Sequence, residues 1–131
     1  MFHYTVETDR TMDDAIAVLE ETLKEEKFGV LWQFDIREKL QEKGLDYNQP
    51  YKVLEVCNPF EAERVLSQNQ MVGYFLPCKI VVYEEEGRTN IGLPRPTSLI
   101  QLANDDSLKE LAGDIERRLI SCIDKSVEAS S

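Results

Sequence analysis

Side chains that carry metal or nucleophilic chemistry are scarce in this chain. It has one histidine, His3, and three cysteines, Cys57, Cys78 and Cys122. A closed structural zinc site normally takes four nitrogen or sulfur ligands, so a single chain would have to commit every one of these residues. No C-x-x-C spacing occurs. No Ser-His-acid or Cys-His arrangement can be defended from a single histidine position. The glycines form neither a G-x-G-x-x-G run nor a Gly-Lys-Ser/Thr turn, which leaves no phosphate-cradling loop. No apolar run approaches the roughly 18 residues a membrane helix needs. Met1 to Arg10 shows no basic-then-apolar signal pattern. The expectation is a cytoplasmic protein whose thiols are reduced at rest.

Positive charge is also in short supply. Twenty-five acidic residues face 15 basic ones, for a formal charge of −10. The basic residues gather in no stripe: Arg117-Arg118 and Arg37, Lys39 and Lys43 are isolated on helical stretches. Phosphate backbones and anionic membrane surfaces are repelled by such a field. Nucleic acid and membrane are therefore not expected as partners. A cation, a neutral small molecule or another protein remains open.

What is present reads as one α+β domain over residues 1–131, with 126–131 expected to fray. Phe2, Tyr4 and Val6 alternate with polar residues and predict a first strand. Thr11 followed by Asp14 resembles a helix start, and Met12, Ala15, Ile16, Leu19 and Leu23 share one helical face. Gly29 is expected to stop that helix. Val30–Ile36 and Tyr51–Val56 predict further strands, with a short helix over Arg37–Lys43 closed by Gly44. Asn58 is placed to cap a helix entered through Pro59. Met71–Tyr83 reads as the most strand-prone stretch, broken or bulged at Pro77. Glu84 to Gly87 is a turn leading to a strand over Arg88–Leu93. Leu108, Leu111, Ala112, Ile115, Leu119 and Cys122 predict a final helix, capped by Asp105 or Asp106.

Two runs concentrate the chemistry: Cys57-Asn58-Pro59 and Leu76-Pro77-Cys78-Lys79. Each puts a thiol at a backbone irregularity beside a strand. Cys57 precedes a helix start, where the dipole favours a thiolate and lowers its pKa. The pair is a candidate soft-metal or redox site, with Cys57, Asn58, Cys78 and Lys79 as the residues involved. The bland alternative is two buried apolar cysteines. Cys122 falls on the apolar stripe of the last helix and reads as core, and His3 as exposed or at a sheet edge. Trp32, Phe34, Tyr74 and Phe75 read better as ordinary core than as the lining of a ligand cleft. Glu84-Glu85-Glu86 reads as a solvated turn rather than a cation site.

The same two runs carry a resemblance. Tyr51, Leu54, Cys57, Asn58, Pro59 and Ala62, then Leu76, Pro77, Cys78, Val81, Val82 and Tyr83, resemble the bacterial and archaeal family called domain of unknown function 302. The resemblance also takes in Met12–Leu23, Phe28-Gly29-Val30 and the C-terminal helix. It implies an antiparallel sheet with helices packed on one face, in the order β-α-β-β-β-β-α, and a homodimer. One departure is Arg95, where an acidic residue is expected before Pro96. The resemblance carries a fold and no activity. Three functions stay open: a binding module for a small ligand or soft metal at a paired-cysteine site, a thiol-dependent redox protein or enzyme, and a structural homodimer. The absent C-x-x-C and partner histidine count against the enzyme.

Overall fold

A computed structural model describes residues 1–128. Five strands form one antiparallel sheet: β1 (His3–Thr8), β2 (Gly29–Asp35), β3 (Tyr51–Cys57), β4 (Cys78–Glu85) and β5 (Arg88–Pro94), in the spatial order β1-β5-β4-β3-β2. The helices are α1 (Met12–Glu25), α2 (Ile36–Glu42), α3 (Pro59–Gln68), α4 (Pro96–Ile100) and α5 (Lys109–Glu128).

Alternation along the strands decides the two faces. Leu54 and Val56 of β3, Ile80 and Val82 of β4, and Ile91 and Leu93 of β5 are all buried on one side, where α1 and α5 pack. Ala15, Leu19 and Leu23 of α1 meet Leu119, Cys122 and Ile123 of α5 in the same core. The opposite face carries Phe34, Val53, Val81 and Gly92 in one cross-strand row and Tyr51, Tyr83 and Asn90 in the next. Gly92 is required there: a Cβ would sit 2.6 Å from Thr5 Oγ1 and 3.1 Å from the Tyr4 carbonyl.

Most local expectations hold. The Asp14 N–H donates to Thr11 Oγ1 at the start of α1. Asn58 caps α3, Gly44 closes α2 at φ +81°, and Asp105 accepts from the Ser107 N–H before α5. Glu86 and Gly87 both take positive φ in a tight hairpin turn. Four details differ. After α1 the left-handed residue is Lys27, at φ +65°, while Gly29 already belongs to β2. The strand expected over Met71–Tyr83 starts only at Cys78, because Gln70–Phe75 coils into a 3-10 turn capped by Asn69. Its cap bond, Met71 N–H to Asn69 Oδ1, is a local side-chain alternative to strand pairing. Helix α4, opened by Pro96, lay outside the expected element order. At the C-terminus, where fraying was expected from 126 onward, α5 continues to Glu128 with Ser126 buried; residues 129–131 lie outside the described ones.

Candidate ligand cavity and the two cysteine motifs

The sheet splits at one end. The ladder between β4 and β5 runs from Glu85↔Arg88 to Val81↔Gly92 and stops there. Beyond that point β4 stays with β3 through Val56↔Cys78 and Leu54↔Ile80, while β5 stays with β1 through His3↔Pro94 and Tyr4↔Leu93. The cause is in the sequence. Pro94 has no N–H to give a neighbour, and the chain after it is tied to β1 by the Arg95 N–H donating to the Phe2 carbonyl. Pro77 likewise has no donor just before β4 begins.

A cavity of about 640 Å³ fills this opening. Its sheet side is Cys78, Leu93 and Pro94. Its helical side is Val65 of α3, Val72 and Phe75 of the 3-10 turn, Leu99 and Ile100 of α4, and Leu108, Ala112 and Ile115 at the start of α5. Leu31, Trp32, Glu55, Tyr74, Leu76, Pro77, Lys79 and Pro96 complete the lining. The deep wall is aliphatic, and among the described residues the only charged ones in the lining are Glu55 and Lys79. These two are partners across β3 and β4, and Trp32 stands opposite Glu55 on the other side. Trp32, Glu55 and Lys79 therefore form one row on the face away from α1 and α5.

The aromatic expectation needs correcting. Trp32 is 56% exposed and Tyr74 80% exposed, so neither is ordinary core. Trp32, Tyr74 and Phe75 line the cavity; Phe34 instead stacks on Trp32 at 5.3 Å. Trp32 is exposed because β2 is an edge strand with a register shift between Val30 and Trp32.

The cysteine motifs do come to the same end of the sheet. Cys78 is the register partner of Val56, the residue before Cys57. That one-residue offset sends the two side chains towards opposite faces: Cys78 shares the helix-packed side with Val56, and Cys57 shares the open side with Glu55. Cys78 lines the cavity; Cys57 does not. All three cysteines are free thiols. Burial pushes the Cys78 thiol up to about 11, with the nearby Cys57 and Glu55 adding to the rise. Burial likewise holds Cys122 near 11, and its Sγ–H donates to the Thr22 carbonyl in the core. Cys57, expected below its ordinary value, lies above it, again through burial. The reason is that Asn58 takes the helix start for itself. Its Oδ1 accepts from the N–H groups of Phe60 and Glu61 at 3.0 and 3.2 Å. Its Nδ2–H donates to the Glu26 carbonyl at 3.0 Å, tying α3 to the end of α1. Asn58 is buried, and both its amide oxygen and its amide nitrogen are engaged by backbone groups.

The wall formed by α3 is braced from outside. The Arg118 guanidinium of α5 donates to the carboxylates of Glu26 and Glu61 and to the Glu26 carbonyl, and lies 5.3 Å from the Phe28 ring centre. Arg95, the departure noted in the sequence, pairs with Glu116 of α5 at 3.2 Å, and Glu116 also accepts from the Thr97 N–H and hydroxyl. An arginine there anchors α4 to α5, and α4 supplies Leu99 and Ile100 to the cavity. His3 is half-buried on edge strand β1, with Nδ1 2.9 Å from Thr5 Oγ1 and no acid paired with it among the described residues. Among the described residues no three His, Cys, Asp or Glu side chains converge as a metal site would require, and no helix is long and apolar enough to cross a membrane.

Of the residues singled out in the sequence, Cys78 and Lys79 line this cavity, and Cys57 and Asn58 do not; the helical wall was missed. Leu99, Ile100, Leu108, Ala112 and Ile115 read only as apolar residues, and nothing local says that they face a gap. The available signal was the pair of prolines, Pro77 and Pro94, each leaving a strand without a donor at the same end.

The sequence pattern of the family described as "Domain of unknown function DUF302" matches residues 4–126. A crystal structure of an uncharacterized conserved DUF302 protein from Bacillus stearothermophilus is similar to this fold, with a TM-score of 0.94. The two chains are 60% identical, and the match covers 96% of this chain and 98% of that one. A comparison with curated proteins gives no match.

Proposed function

This chain belongs to the DUF302 family, and within that fold we propose that it is a binding module for a small, largely apolar molecule held where β4 and β5 part. The observation that carries this is the cavity of about 640 Å³, well inside the range of roughly 300–1,000 Å³ typical of ligand sites. An apolar wall with few polar groups at its mouth is the usual composition of such sites. Cys78 then acts as a wall residue and Lys79 as a mouth residue.

The soft-metal and redox forms of the reading have less to stand on. A disulfide needs Cβ atoms roughly 3.5–4.5 Å apart and aimed at each other. Cys57 and Cys78 sit on opposite faces, and their raised pKa values keep them protonated at neutral pH. Three free thiols suit a reducing compartment, in keeping with a cytoplasmic protein. A homodimer joined through the open sheet face belongs to the same proposal. Its support is the stacked Tyr51–Tyr83 pair, with ring centres 5.0 Å apart, beside half-buried Val53 and Val81.

Trp32 is the only tryptophan and stands at the mouth, so it reports occupancy directly. Titration with the uncharged probe N-phenyl-1-naphthylamine at native pH should give saturable transfer from Trp32 and a raised melting temperature. Leu99→Trp, which narrows the cavity from a half-buried position, should abolish both while leaving a cooperative urea transition. Unsaturable binding, or binding that Leu99→Trp leaves intact, refutes a ligand site here.

A further inference from the structure

Resting on that cavity reading, we infer that the molecule held there is an uncharged amphiphile: an apolar body carrying one polar head with both a hydrogen-bond donor and an acceptor, as in a carboxamide. The division follows from where polarity stops. Val65, Val72, Leu93, Ile100 and Leu108 are buried and offer no polar side-chain atom. A polar group on the ligand placed among them would give up water and gain nothing in return. Beyond the weakly polar Cys78 thiol in the wall, its polar partners among the described side chains are Trp32, Tyr74, Glu55 and Lys79, and the two charged ones form one row at the mouth.

There Glu55 and Lys79 face each other as register partners on β3 and β4. Cross-strand partners on one face have Cβ atoms roughly 4.5–5.5 Å apart, so a head that meets one of them is close to the other. Neither side chain has an ion pair or hydrogen-bond partner among the described residues, which leaves both free to engage a ligand. A carboxylate head would gain Lys79 but face Glu55, inside a chain of charge −10. An ammonium head would gain Glu55 but face Lys79. A neutral head with a carbonyl and an N–H satisfies both at once: the ammonium donates to the carbonyl, and the carboxylate accepts from the N–H. Trp32, beside Glu55 in the same row, offers a flat apolar surface to the part of the body nearest the head.

Three probes with one body test this: 2-naphthaleneacetamide, 2-naphthaleneacetate and 2-(2-naphthyl)ethylammonium. Binding is followed by NMR on the Trp32 indole N–H and the backbone amides of Glu55 and Lys79, at fixed salt. The amide should bind at least about fivefold tighter than either ion, about 1 kcal/mol by the affinity relation. Glu55→Gln should raise the affinity of the carboxylate probe, and Lys79→Met that of the ammonium probe. Both side chains lie on the open sheet face, Lys79 exposed and Glu55 half-buried, so an unchanged urea midpoint and an unchanged light-scattering mass verify that fold and assembly are kept. If all three probes bind alike, if an ion binds tightest, or if the crosswise response is missing, the head-group inference fails while the cavity reading stands. If none of the three binds, the cavity reading itself fails, and this inference with it.

Discussion

Asn58→Ala tests whether the Cys57-Asn58-Pro59 run is a structural joint or part of a site. The substitution removes the acceptor for the Phe60 and Glu61 N–H groups and the donor to the Glu26 carbonyl. Loss of an Asn N-cap costs about 1 kcal/mol, within a range of roughly 0.5–2. The bond to Glu26 contributes about 1 kcal/mol more. The Glu26 carbonyl keeps the Arg118 Nη2 donor at 3.1 Å, so it is not left bare and the larger penalty for an unsatisfied buried group does not apply. The sum is about 2 kcal/mol. At this chain length, roughly 4 °C per kcal/mol gives a fall in melting temperature of about 8 °C. Urea unfolding followed by circular dichroism and by Trp32 fluorescence should show a lower midpoint with an unchanged slope. Asn58→Gly separates the two parts, since glycine at an N-cap costs only a few tenths of a kcal/mol; it should lose about 1 kcal/mol in all. A loss below about 0.5 kcal/mol for Asn58→Ala would refute the cap assignment and return Asn58 to the candidate site residues.

Further outcomes follow from the same geometry. Iodoacetamide should label Cys57 before Cys78 and Cys122 across the neutral and mildly alkaline range, because the latter two are held near 11 by burial; equal rates at Cys57 and Cys122 would contradict this order. Tyr4 has its pKa raised from 10.0 to about 12, chiefly by its hydroxyl donating to Asp124 of α5. The sign is that of a group kept neutral by folding: the stabilisation is whole below pH 10 and disappears as pH rises through about 12. Tyr4→Phe should therefore flatten that alkaline loss, and an identical pH dependence in the variant would remove Tyr4 from the account. Light scattering should give twice the 15.1 kDa chain mass at micromolar concentration, and Val81→Arg on the open face should halve it; a wild-type mass near 15.1 kDa rejects the homodimer.

Local chemistry alone determined much of this protein. Thr11, Asn58 and Asp105 mark helix starts because their side chains reach backbone donors two or three residues away. Glu86-Gly87 marks the hairpin because its backbone needs positive φ. The stripe from Leu108 to Ile123 marks α5 because its spacing repeats every turn. Two short-range errors, at Gly29 and over Met71–Phe75, arose where a left-handed lysine and an asparagine-capped turn overrode glycine and strand propensity.

The cavity was of another kind. Cys78 and Lys79 stood out by residue type, yet their roles depended on strand order and register. A shift of one residue turns every side chain of a strand to the other face. Only the pairing of Cys78 with Val56, rather than with Cys57, put the two thiols on opposite sides. Pro77 and Pro94 were visible as missing donors. The Glu86-Gly87 hairpin made β4 and β5 neighbours, but that they part where those prolines fall was fixed by their other partners, β3 for β4 and β1 for β5, through residues far apart in the chain. Propensity acts over a turn of helix or a pair of strand residues; the cavity belongs to packing among β4, β5, α3, α4 and α5, which no local pattern encodes.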